Sequence, residues 1–289
     1  MDSRKHQHKL AVVPLLHRSA LRQIDLALDY VTNPAHETDF AIHETRRCLK
    51  RLRAILRLVK KEVGKTIYDR DNQYLRNLGQ KLSELRDTTV VGQTLASLQK
   101  QFPQILGTSA WKTIKKDLVS AQHSRPARKK IMTAIAPKLK IARSRVANWP
   151  LEFGEPLKLR KALRKTYKKS QRTMKHTLAE QQAENFHEWR KQVNHLRHQL
   201  QILRTMKIGT VKKALKISQA LTRTLGLQHD LTVLSQRLSK LNQSGQKTEL
   251  HRLEKLIKSC QANYATEAIK LGQQLSRKPL KAFIKSIQS

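Results

Sequence analysis

A cationic helical stripe occurs twice in this chain, 144 residues apart. The first copy reads His43-Glu44-Thr45-Arg46-Arg47-Cys48-Leu49-Lys50-Arg51-Leu52-Arg53, and the second His187-Glu188-Trp189-Arg190-Lys191-Gln192-Val193-Asn194-His195-Leu196-Arg197. Advancing 100° per residue puts Leu49, Leu52, Ile55, Leu56 and Val59 on one face of the first helix and Val193, Leu196, Leu200 and Leu203 on one face of the second. The opposite sector carries His43, Arg46, Arg47, Lys50, Arg51, Arg53 and Arg57 in one copy, and His187, Arg190, Lys191, Asn194, His195, Arg197 and His198 in the other. Both sectors are expected to face away from a leucine core. A fold that repeats such a helix at one register must accept its self-repulsion or supply an anion to relieve it.

The match continues downstream. Leu78, Leu82, Arg86, Asp87 and Val90 align with Leu221, Leu225, His229, Asp230 and Val233 at an offset of 143, so one residue is lost in an intervening loop. Self-similarity over this distance indicates duplicated helical units burying equivalent faces. Leucines recur at helical spacing almost throughout, with no convincing alternation of strand length. The fold class expected is all-α, with helices near 11–31, 39–63, 70–86, 88–101, 109–122 and 127–147, then 155–182, 184–206, 210–226, 229–242, 246–275 and 279–287. Asn33-Pro34, Phe102-Pro103, Arg125-Pro126 and Asn148-Trp149-Pro150 punctuate the pattern, because proline restricts its predecessor and removes a donor. The Pro150–Pro156 stretch is the expected junction between a half at 1–150 and a half at 151–289, each long enough for its own core. Asp87 and Asp230 are read as structural, capping the helices that follow them or restraining an inward-facing arginine.

The charge is distributed over the whole chain. Lys and Arg number 59 against 21 acidic residues, and the excess of about +38 divides almost evenly between the halves, so neither is a basic tail. Hydrophobic residues make up 38%, and glycine and proline are scarce, which argues against disorder. No apolar run approaches a membrane span, and the polar Met1–Lys9 segment lacks a signal-peptide core. Cys48 and Cys260 fall in helical patterns as small hydrophobes and make no disulfide framework. A soluble, cytoplasmic protein is expected.

An ordinary solvated face interleaves Glu at i+4 with its cations. Residues 43–61 instead carry eight basic residues with Glu44 as the acid among them, and Lys158–Lys175 carries nine in eighteen positions with no acid. Side chains one turn apart advance about 5–6 Å, a spacing suited to successive anionic groups of an extended chain. Arginine offers a rigid fork to phosphate oxygens and lysine a mobile point charge. His43 and His187 open the two faces and are expected to donate to phosphate. As metal ligands they lack a carboxylate or cysteine cluster to complete a shell, as does the His6, His8 pair. Lys158, Lys161, Lys165, Lys168, Lys169 and Arg172 form a secondary, outer basic surface. No Walker A motif occurs and no carboxylate pair lies beside the cations to hold Mg²⁺, so no catalytic residue, metal or cofactor is assigned. Nucleic acid is the alternative polyanion, bound weakly and without sequence preference: aromatic residues make up only 4%, too few for a stacking platform.

These motifs resemble the CHAD family, the conserved-histidine α-helical domain. His43-x-x-Arg46-Arg47-x-x-Lys50-Arg51-Leu52-Arg53 is similar to its leading basic helix, and Leu82-x-x-x-Arg86-Asp87-x-x-Val90 to its later Leu…Arg-Asp motif. His187-x-x-Arg190-Lys191-x-x-Asn194-His195-Leu196-Arg197 and Leu225-Gly226-x-x-His229-Asp230-x-x-Val233 resemble the counterparts in the second half, with departures at Asn194 and at His229, which stands for the usual arginine. The resemblance implies two helical bundles related by a pseudo-twofold axis, with a basic central cavity or channel between them. It further implies binding of inorganic polyphosphate and, for some members, association with polyphosphate granules. By motif match, His43, Arg46, Arg47, Lys50, Arg53 and Arg57 would line one side, and His187, Arg190, Lys191 and Arg197 the other.

Overall fold

The protein is described from a computed structural model covering residues 12–104, 106, 109–119, 125–151, 159–208, 210–240, 247–277 and 282. Nine helices and no strand occur among the described residues. In the first half these are α1 (Val12–Thr32), α2 (Thr38–Leu58), α3 (Gly64–Gln101), α4 (Ser109–Val119) and α5 (Arg125–Ala147). The second contains α6 (Leu159–Ala179), α7 (Ala183–Thr205), α8 (Lys212–Leu238) and α9 (Lys247–Ser276). Each proline site acts as expected: Pro34 lies in the turn before α2, Phe102 ends α3, Pro126 opens α5, and Trp149-Pro150 follows its end. The expected helix at 279–287 lies outside the described residues.

Two expected breaks are absent. Residues 64–101 and 212–238 are single helices, so Asp87 and Asp230 sit in helix interiors and cap nothing. Asp230 is not without a partner; the side chain of Asp87 lies outside the described residues. The helices stay continuous because each serves two cores. At 1.5 Å per residue, α3 is about 57 Å long and α8 about 40 Å. Leu75, Leu78 and Leu82 of α3 join Leu215, Leu221 and Leu225 of α8 in the main core. Further along, Val91, Leu95 and Leu98 join Leu231, Leu234 and Leu238 in a second core, closed by Ile114 of α4 and Leu253 and Ile257 of α9. The two halves therefore do not keep separate cores; both cores draw on both halves.

Packing follows the same order in each half. α2 lies on α1 and α3, and α7 on α6 and α8; α5 returns to α1, and α9 to α6. Between halves, α2 meets α7 and α6, and α3 meets α8. The turn that leads into each long helix contains a left-handed residue, Gly64 at φ +80° and Lys207 at φ +56°, again 143 positions apart. The change of offset from 144 to 143 therefore falls before this turn.

Two buried details fix the helices in place. Asp71 of α3, 3% exposed, accepts from Trp149 Nε1 at 2.9 Å and pairs with Arg70 at 2.8 Å and Arg145 at 3.8 Å, tying the end of α5 to α3. Gly272 of α9 lies against Trp189 and Met174, where a Cβ would come within 2.5 Å of the indole and 2.7 Å of the sulfur. Gly272→Ala is therefore expected to destabilise the fold by about 1–3 kcal/mol despite its better helix propensity, through overpacking. Denaturant melts read by circular dichroism check this; an unchanged or raised midpoint would contradict the close approach.

Candidate anion-binding site

The apolar stripe of α2 is buried as the helical angles require: Ile42, Cys48, Leu49, Leu52, Ile55, Leu56 and Val59 are all 3% exposed or less. In α7 the buried set is Phe186, Trp189, Val193, Leu196, Leu200 and Leu203. Since α2 and α7 also pack on each other, their polar sectors do not both face water. His195 lies in the field of Arg53 and Arg57 of α2, Lys169 of α6 and Lys191 of its own helix. His198 lies in that of Lys50 and Arg51 of α2, and Arg197 feels Arg47 and Arg51. Under the 144-residue offset Arg51 corresponds to His195 and Arg53 to Arg197, so the Arg53–His195 and Arg51–Arg197 approaches exchange with each other.

Carboxylates enter this junction at equivalent places. Glu44 holds Arg47 Nη1 at 2.6 Å and lies 3.8 Å from His43 Nε2. Glu188 holds Lys191 Nζ at 2.6 Å and accepts from Gln192. Each is an i,i+3 pair in the second turn of its helix. Deeper in the junction, cations rest on neutral partners. Arg53 Nε donates to Asn72 Oδ1 of α3 at 3.1 Å, and Arg57 donates to the Arg53 carbonyl at 3.0 Å and hydrogen-bonds Tyr68. Arg197 Nη2 lies 2.9 Å from His198 Nε2. A guanidinium only donates, so His198 Nε2 accepts and the ring is neutral.

The electrostatic consequences run one way. Burial, reinforced by Arg57, pushes the Arg53 guanidinium down to about 10, and burial lowers Arg57 and Arg197. Burial and neighbouring cations hold His187, His195 and His198 below the ordinary imidazole range and push His229 down to about 4. His187 and His229 face each other with ring centroids 4.8 Å apart. The junction is thus a place where positive charge is crowded past what its own carboxylates offset, and where an incoming anion would be stabilised.

The structure brings together most of the residues the sequence singles out. His43, Arg46, Arg47, Lys50, Arg53 and Arg57 lie along α2, and His187, Arg190, Lys191 and Arg197 along α7. Two expectations need correction. His198 does not project away from the protein: it is 5% exposed, because α7 turns that side toward α2. The α6 surface is also not wholly separate. Lys161, Lys165, Lys168, Lys169 and Arg172 are exposed on α6, yet Lys169 acts on His195 and Glu188, and Lys161 contacts Lys61 beyond the end of α2. Lys158 lies outside the described residues. Arg51, His195, His198 and Lys169 thereby join the site, and their contacts with neighbouring helices are invisible to a single-helix projection. A surface groove of about 450 Å³ between α1 and α5, lined by Arg18, Arg22, Asp25, Asp29 and Arg143 among others, includes none of these residues.

These shifts predict a pH dependence of stability. The histidines have folded-state pKa values below the unfolded value of 6.5, so between the two the unfolded chain binds more protons. Their contribution is fully present above about pH 6.5 and is lost as the pH falls toward about 4. Thermal melts of the free protein across that window should show a progressive fall in midpoint; a flat profile would contradict the neutral, crowded imidazoles.

A family model, the CHAD domain, matches residues 18–239. The crystal structure of the CHAD domain from the plant Ricinus communis superposes with a TM-score of 0.61 at 17% identity, covering 95% of this chain and 92% of that one. At that identity the likeness concerns the fold. No curated protein matches the chain significantly.

Proposed function

The chain belongs to the CHAD family, and from the junction between α2 and α7 we propose that it binds inorganic polyphosphate there, as a binding protein without catalytic turnover. The observation that carries this reading is the meeting of two cationic helix faces from opposite halves, with Arg47, Arg51, Arg53 and Arg57 set against His195, Arg197 and His198. Closely spaced phosphates on a thin chain supply charge at the repeat of helical turns, and each arginine can grip a phosphate through a charge-assisted fork. A bulky duplex would reach only the exposed cations. The half-buried Arg53 and Arg57 favour a slender ligand.

In this reading the two halves descend from one duplicated unit, and the basic surface between them is the trough or channel that the ligand occupies. Glu44 and Glu188 at the site are already bound to cations. They restrain Arg47 and Lys191, which suits binding better than holding Mg²⁺ for phosphoryl transfer. No helix among the described residues is long and apolar enough to cross a membrane. Cytoplasmic location, with recruitment to polyphosphate granules, is part of the proposal.

Replacing Arg46, Arg47, Arg190 and Lys191 together by Gln tests it. The variant is expected to lose polyphosphate affinity by at least about a hundredfold, since hydrogen bonds to charged groups contribute about 1.5–3 kcal/mol each. A control replaces four exposed lysines on α5 and α9, Lys129, Lys130, Lys255 and Lys258, by Gln and removes the same net charge; it should lose far less. Titrations at physiological salt with long-chain polyphosphate, orthophosphate and a DNA duplex give the comparison. Equal losses in both variants, or tighter binding of the duplex than of polyphosphate, would overturn the assignment.

A further inference from the structure

One of the positions at which the two halves differ chemically lies on α8. The 143-residue offset sets His229 of α8 where the first half has Arg86 of α3, so a titratable ring replaces a permanent cation. The His229 ring packs on His187 of α7 at 4.8 Å between centroids, tilted by 38°. His187 Nδ1 is buried with no hydrogen-bond partner. The charged groups acting on this pair come from α7: Arg190 on both rings, and Lys191, Glu188 and Glu184 on His187. Burial is the larger cause, the cations add to it and outweigh the carboxylates, and both rings are held below the ordinary imidazole range.

We propose that the His187–His229 pair makes polyanion binding proton-coupled: a phosphate group seated beside Arg190 draws a proton onto the pair, and the ligand is held more tightly as the medium acidifies. This rests on the polyphosphate reading above and adds to it a mode of regulation. A phosphate near Arg190 offsets the positive field that suppresses protonation, and it offers an acceptor to an imidazolium N–H. Protonation turns each ring from one donor into two, which gives the orphaned His187 Nδ1 a proton to share. By linkage, a complex that binds more protons than its free components gains affinity as pH falls. An arginine at the aligned position of the first half carries no comparable titration in this range.

The test titrates the full chain with long-chain polyphosphate, whose internal groups stay ionised, at about pH 8 and about pH 5.5, windows on either side of the ordinary imidazole range. Calorimetry in two buffers of different ionisation enthalpy counts protons taken up. The unaltered protein should take up protons on binding and gain about tenfold in affinity on acidification, the equivalent of one pKa unit of differential interaction. His229→Arg should bind well at both values, with proton uptake and the acid gain both reduced. His229→Gln should also lose the uptake, and should bind more weakly than the unaltered protein at acid pH. Far-UV dichroism confirms folding of both variants. Proton uptake and pH dependence that persist unchanged in folded His229→Arg and His229→Gln would overturn the coupling while leaving the functional reading intact. Absence of polyphosphate binding at either pH would overturn both.

Discussion

Packing α2 against α7 sets Arg53 and Arg57 beside His195, and Lys50 and Arg51 beside His198. A contact between like charges costs folding free energy, which Glu44 and Glu188 offset in part by pairing Arg47 and Lys191. The rest of the molecule is arranged so that this contact survives in the absence of a ligand. Apolar faces of both helices are sunk in one continuous core. Burial of about 25 cal/mol per Å² of apolar surface across that core outweighs the repulsion on the opposite sides.

The sharing of cores explains why the cationic faces cannot drift apart. α3 and α8 each run through both cores and touch each other, so the two halves are joined along their long helices as well as through α2 and α7. Asp71 with Trp149 and Arg145 fastens the end of α5, the last helix of the first half. Holding the junction rigid has a chemical consequence. Crowded guanidinium groups and neutral imidazoles are pre-organised, so a polyanion meets them without first ordering the protein, and preorganisation of this kind reduces the cost of binding.

Much of this was legible in the residues. The angular spacing of Leu49, Leu52 and Ile55, and of Val193, Leu196 and Leu200, located the buried faces of α2 and α7. The change of offset from 144 to 143 put a slip in an intervening segment, and Gly64 and Lys207 share left-handed backbone at the later offset. What was not legible depended on partners distant in the chain. Asp87 and the Gly226…Asp230 stretch look like helix ends locally, but neighbours in two cores keep α3 and α8 continuous through them. His198 looked exposed because a single-helix projection has no knowledge of α2. Lys169 looked like part of an outer surface because its approach to His195 depends on how α6 packs on α7. The i,i+3 pairs Glu44–Arg47 and Glu188–Lys191 were readable from spacing, and their repetition at one offset was a signal that the sequence did carry.

The central claim is that one anion site is built jointly by α2 and α7. Amide hydrogen exchange with and without polyphosphate, at fixed pH and ionic strength, tests it most directly. The account predicts that the polymer slows exchange in both Thr38–Leu58 and Ala183–Thr205, while an equal phosphate concentration as orthophosphate does little. Protection confined to Leu159–Ala179 of α6, or to one of the two helices alone, would contradict a shared site.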